Sequence, residues 1–246
     1  MRRPLTIFFG GDRGMAFFLA FLVLTTIFVP MITLSQFWRV ALSLVFVATL
    51  ISGAFAIIQN RVLIYFVVVL AISTLAADLT AEFAPAHGSS TIETTLRLVC
   101  LSILVIMTLK RTLRPGPVTL YRVMGGIAGY LLIGFTWAFA YQLVVQQAPS
   151  AIHFVSGVVD TSSRQPSHLI YFSFVTLATV GYGDAYPVHP AARSLAVAEA
   201  LVGQLYVAIL IASLVGMALQ AKSASVGGAS AANGSSPERL EEVKII

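Results

Sequence analysis

The chemistry of this chain is concentrated in Thr176-Leu177-Ala178-Thr179-Val180-Gly181-Tyr182-Gly183-Asp184. The run contains no nucleophile paired with a base and no cluster of metal-ligating side chains. What it offers is backbone oxygen. A cation stripped of its water needs a ring of oxygens in exchange, and carbonyls supply one if the strand is extended and its carbonyls all face one way. That geometry uses backbone angles that residues with a Cβ avoid, which is what glycines alternating with larger residues permit. The Thr179 hydroxyl adds one more oxygen at the inner end. The side chains of Val180 and Tyr182 are expected to turn away from the oxygens and brace the loop against the helix before it.

Such a loop has to be held in place by the segments around it. The stretch 167–178 just before it is too short to span a bilayer and too apolar for an ordinary exposed loop, so it reads as a re-entrant helix. Irregular backbone at membrane depth normally lines a pore or a site. A helix rises about 1.5 Å per residue, so roughly 20 apolar residues cross the hydrocarbon. Runs of that kind lie at 123–145 and 195–219 on either side of the loop, and at 15–34, 40–58, 62–77 and 92–109 before it. The expected fold is an all-α membrane protein with six transmembrane helices. Its re-entrant pore helix and loop fall between the fifth and sixth.

Bulk composition agrees. Of 246 residues only 10% are charged, and the mean hydropathy is +0.90. A soluble domain of this size needs more surface charge. The formal net charge of +5 does not suggest nucleic acid, because the basic residues sit in the gaps between apolar runs rather than on one polar face. The single cysteine, Cys100, lies within an apolar run and reads as a small buried hydrophobe. Arg2 and Arg3 precede the first run, but its length and the lack of a small-residue cleavage site make it a retained helix.

Six spans with the N-terminus in the cytoplasm place Arg2, Arg3, Arg13, Arg61, Lys110, Arg111, Arg114, Arg122, Lys222, Arg239 and Lys244 inside. Only Arg39, Arg164 and Arg193 then fall outside or at an outer edge. The bias puts both termini in the cytoplasm and the acidic loop 78–93 outside. Three regions follow: a four-helix N-terminal transmembrane domain (1–117), a pore domain (118–220), and a tail (221–246) whose Ala, Ser and Gly content reads as flexible.

The Thr176-x-x-Thr179-x-Gly181-Tyr182-Gly183 pattern resembles the selectivity-filter signature of the potassium channel superfamily, the sequence on which carbonyl-ring selectivity is known in that family. Gly181 through Pro187 is similar to the filter exit of small bacterial two-helix potassium channels. The segment from Glu199 through Ile211, and Arg122 through Leu132, are similar to bacterial ion-channel-family proteins with extra N-terminal helices. The resemblance covers residues 118–220 and reaches 1–114 only in topology. It implies K+ coordination by Thr179, Val180, Gly181, Tyr182 and Gly183, filter support from Tyr171, Thr176, Asp184 and Glu199, and a homotetramer, since a ring of carbonyls needs four loops. It implies permeant K+ ions and no cofactor, membrane lipid and the chain itself as partners, no nucleic acid, and a cell membrane, specifically a bacterial inner membrane.

By the family's register the last helix lines the inner cavity with Gln204, Val207, Ile211 and Val215, one helical face, and Gly203 aligns with a hinge glycine. Close helix packing would explain Gly203 as well. Glu199, an ionisable residue within a span, lies about 140° around the helix from that face. It is therefore expected to face the back of the pore helix and brace the filter. Some relatives pair a pore-helix glutamate with the aspartate after the filter. Val175 stands at that position here, leaving Tyr171 as the partner for Asp184.

Six spans also suggest voltage gating, but a sensor needs about three to four charges per subunit within the field. The fourth run carries Arg97 alone. Lys110, Arg111 and Arg114 lie at its cytoplasmic exit, and Arg114-Pro115-Gly116-Pro117 breaks the helix where a coupling linker would run. Little or no voltage sensing is expected, and no enzyme activity, since no nucleotide loop or nucleophile motif occurs. The competing readings are a poorly selective cation channel of the same fold, a transporter, which should show inverted repeats, or a non-conducting regulatory subunit.

Overall fold

The computed structural model describes residues 12–28, 36–57, 61–83, 91–114, 116, 118–155 and 166–234. Arg2, Arg3, His87, Arg164, Pro115, Pro117 and the last residues of the tail lie outside them. The described chain is almost wholly helical. In order it forms α1 (Asp12–Phe28), α2 (Gln36–Ile57), α3 (Arg61–Phe83), α4 (Thr91–Thr112), α5 (Leu120–Gln147), β1 (Ile152–Phe154), α6 (Pro166–Leu177), β2 (Ala185–Pro187) and α7 (Pro190–Gly234).

Among the described residues three helices are long and apolar enough to cross a membrane: Thr91–Thr112, Leu120–Gln147 and Pro190–Leu219. Within α1, α2 and α3 the described apolar stretches are shorter, at Gly14–Phe28, Leu44–Ile57 and Arg61–Ala76. α6 is short and apolar, as the re-entrant reading requires. Two boundaries differ from expectation. Asp78 and Glu82 lie on the last turns of α3 rather than in a loop. The stretch 221–234, which reads as a flexible tail, continues α7 as helix. No proline interrupts it before Pro237, and alanine is the strongest helix former, so a helix already nucleated by the span propagates through it.

α5 is the centre of the packing. It packs against α1, α4, α6 and α7. Between helices in lipid, close van der Waals fit replaces the hydrophobic drive, and small residues make that fit possible. Gly53 of α2 lies under the Phe18 ring, where a Cβ would stand 2.6 Å from the ring edge. Gly125 of α5 is pressed against the Thr112 hydroxyl of α4, and Gly126 against Leu210 of α7. Phe135 and Phe139 carry the same helix against Phe46 of α2, with ring centroids 6.3 and 5.5 Å apart.

Near the end of α4 three helix termini are tied together. The Arg111 guanidinium of α4 donates to the carbonyls of Ala56 and Ile57, 3.0 Å each, and lies over the Tyr121 ring at 4.5 Å. Tyr121 at the start of α5 donates its hydroxyl to the same Ala56 carbonyl. The last carbonyls of a helix have no partner within it and carry partial negative charge, so a guanidinium there satisfies both needs.

Candidate functional site

Between α6 and α7 the chain runs through Ala178 to Asp184, and its backbone is the most unusual among the described residues. Thr179, Gly181 and Gly183 have φ of 53°, 62° and 82°. Every second residue is therefore left-handed, while Val180 and Tyr182 between them are not. Alternating handedness turns successive peptide planes the same way, so carbonyls that would alternate along a β-strand gather on one side. The two glycines take this conformation freely. Thr179 does not, because a β-branched residue at positive φ is strained. Its N–H bonds to the Thr176 carbonyl at 2.9 Å, and the next N–H, of Val180, to the Val175 carbonyl at 2.9 Å. The end of α6 thus holds the strained residue.

Thr176 meets the loop through its backbone. Its hydroxyl turns back to the Phe172 carbonyl of its own helix, while its carbonyl accepts the Thr179 N–H. Val180 and Tyr182, expected to brace the loop, are 49% and 71% exposed in the single chain.

At the outer end, the Tyr171 hydroxyl donates to Asp184 Oδ2 at 2.7 Å. The chain after Asp184 then forms β2, which pairs antiparallel with β1 in the register Ile152↔Pro187, His153↔Tyr186, Phe154↔Ala185. The Val155 N–H extends the ladder onto the Asp184 carbonyl at 2.8 Å. This clasp has no signal in the sequence beyond three β-compatible residues on each side.

Behind the loop, Glu199 is fully buried. It faces α6, as its angular position requires. Tyr141 of α5 donates to Oε2 at 2.6 Å, and Ser173 of α6 bonds Oε1. Ser173 also reaches the Gly134 carbonyl of α5 at 2.7 Å. One carboxyl group therefore bridges three helices. Sequence reasoning missed Ser173 and Tyr141; the signal was a small polar residue and a phenol inside apolar runs.

One turn further along α7, Gly203 is buried against the end of α6, where a Cβ would stand 2.2 Å from the Leu177 carbonyl oxygen. Close packing alone demands a glycine here. Next to it, Gln204 Nε2 donates to Thr179 Oγ1 at 3.0 Å. Val207, Ile211 and Val215 are exposed in the single chain and share the Gln204 side of the helix. Tyr206, on the opposite side, packs against Gly129 and donates to the Gly126 carbonyl at 2.6 Å. Packing thus accounts for the Gly125 and Gly129 pair. Among the described residues no group of three or more His, Cys, Asp and Glu could hold a metal ion.

The arrangement is that of a helical membrane protein in which a short apolar helix and a loop with its carbonyls gathered on one side lie between two helices long and apolar enough to span a membrane. Residues 129–220, which contain most of α5, the loop and the crossing part of α7, match the family described as Ion channel. A stretch of 63 residues is 41% identical to two pore potassium channel c of Oryza sativa subsp. japonica. That similarity takes in 24% of this chain and 14% of the rice protein's own length.

Proposed function

We propose that the chain is one subunit of a homotetrameric, potassium-selective channel that conducts K+ passively across a cell membrane. The observation that carries this reading is the alternation of left-handed backbone at Thr179, Gly181 and Gly183. It gathers carbonyls on one side of a loop whose sequence matches the potassium filter, and carbonyl rings replace the hydration shell of K+. The similarity of residues 129–220 to ion channels, and of part of the chain to a potassium channel, supports it. Ions would pass in file between the oxygens of Thr179, Val180, Gly181 and Tyr182.

Four copies are required because one chain supplies one loop. The exposure of Val180 and Tyr182 supports this, since their partners would be neighbouring subunits. So does the long apolar α7, which is barely covered within the chain. Its Gln204, Val207, Ile211 and Val215 would line the inner cavity. We read all six apolar segments as spans with both termini cytoplasmic, and the activity as transport without catalysis. Arg97 is the single basic residue within α4's apolar stretch. It is 8% exposed and stands 5.8 Å from the Phe139 ring, which supports a channel with little intrinsic voltage sensing.

The test is flux through the purified protein in liposomes. Flux of K+ over Na+, blocked by Ba2+ and lost in Gly181→Ala, is the expected result. Equal flux of both cations would favour the poorly selective channel instead.

A further inference from the structure

We propose that Gln204 is the positioning residue for the innermost cation site of the pore. Its amide fixes the Thr179 hydroxyl, and four such amides make a polar ring that sets how cations arriving from the cytoplasm are held. This rests on the tetrameric-pore reading above.

The loop's strained first residue has three restraints. Two are backbone bonds within its own connection to α6, from Thr179 N–H to Thr176 and from Val180 N–H to Val175. Neither constrains the Thr179 side chain. The third does, and it alone comes from α7: Gln204 Nε2 donates to Thr179 Oγ1 at 3.0 Å. A threonine hydroxyl has one proton and two lone pairs. With one lone pair committed to Gln204, the oxygen is held in place and the other lone pair is left for an ion. Without that bond, χ1 is free to choose among its staggered wells.

The position of Gln204 is itself built. Gly203 allows α7 to come within van der Waals reach of the Leu177 carbonyl, which sets the next residue beside the loop. The rest of this face is apolar, with Val207, Ile211 and Val215. A polar side chain stands only in the ring that touches the loop. A neutral amide suits that place: its oxygen can face a cation without the charge that would trap it, and conduction requires sites weak enough to leave.

The experiment compares wild type, Gln204→Leu and Gln204→Glu in planar bilayers, reading block by Ba2+ added on the cytoplasmic side and the ratio of Rb+ to K+ conductance. In Gln204→Leu the Ba2+ block should weaken on the order of tenfold, the size of one net hydrogen bond, and the Rb+ to K+ ratio should shift. In Gln204→Glu, which keeps the shape and adds four carboxylates, block should tighten on the order of tenfold or more. Block and conductance ratio within about twofold of wild type in both variants would overturn the inference and leave the channel intact. If Gln204→Leu does not assemble, the isosteric Gln204→Glu decides alone, and unchanged block there overturns it. Wild type carrying no K+ current would instead sink the pore reading, and this inference with it.

Discussion

The carbonyl oxygen of Leu177 occupies the space beside Gly203 so fully that a Cβ on residue 203 would lie 2.2 Å from it. The obstacle is backbone at the end of α6, directly before the loop, and it cannot rotate aside. Gly203→Ala must push α7 away from α6. We expect a loss of about 1–3 kcal/mol per subunit from overpacking, read as a lower temperature of tetramer dissociation. An alanine variant as stable as wild type would show that α7 has slack at this point.

Gly181 stands in open space, with nothing within 4 Å of where a Cβ would stand, but its φ is 62°. Here the cost of a side chain is conformational. An L-residue held left-handed loses about 1–2 kcal/mol. Gly181→Ala should therefore fold and assemble yet lose K+ flux. Size-exclusion chromatography and liposome flux on one preparation separate the two effects.

Glu199 joins α5, α6 and α7 through Tyr141 and Ser173. Glutamine can still donate to one hydroxyl and accept from the other, whereas alanine takes from the buried Tyr141 hydroxyl its carboxylate partner, at about 1–3 kcal/mol, and leaves Ser173 with the Gly134 carbonyl alone. Glu199→Ala should speed the rundown of K+ current and relax K+ over Na+ selectivity, with Glu199→Gln between it and wild type. Rundown unaltered in both would reduce Glu199 to an anchor.

Tyr171 is tied to Asp184 by a single hydrogen bond, and Val175 offers no second one. Removing it with Tyr171→Phe should raise the rate of inactivation during sustained opening by about tenfold at most, the scale of one bond to a charged group in an exposed place. Single-channel dwell times give that rate directly; equal dwell times would mean the β1–β2 clasp holds Asp184 unaided.

Arg97 is one charge, packed beside Phe139, where a sensor needs about three to four per subunit. The conductance–voltage relation of Arg97→Gln should keep its slope. A measured movement of several elementary charges per subunit would overturn the reading of α4 as a static helix.

The loop was legible in the sequence because its backbone angles demand glycine at Gly181 and Gly183, and glycine is visible. The same angle at Thr179 was not, because threonine announces nothing: carbonyls of α6 impose the conformation. Glu199 could be placed by angle alone, since a rigid helix converts residue spacing into direction. Its partners could not, because Ser173 and Tyr141 are 26 and 58 residues away in the chain. The helix over 221–234 was missed because small residues mark linkers in isolation but extend a helix that is already formed.

The fastening at Arg111 bears on how such a chain can be taken apart. The break around Gly116 looks like a seam at which a pore could be detached or exchanged for another. Yet Arg111 before it and Tyr121 after it grip the same carbonyl, that of Ala56. A cut at the seam leaves Arg111 on its two carbonyls but parts Tyr121 from Ala56 and from the guanidinium that lies over its ring. A workable graft has to carry Tyr121 with the first four helices, so the unit of exchange reaches past the seam into the first turn of α5.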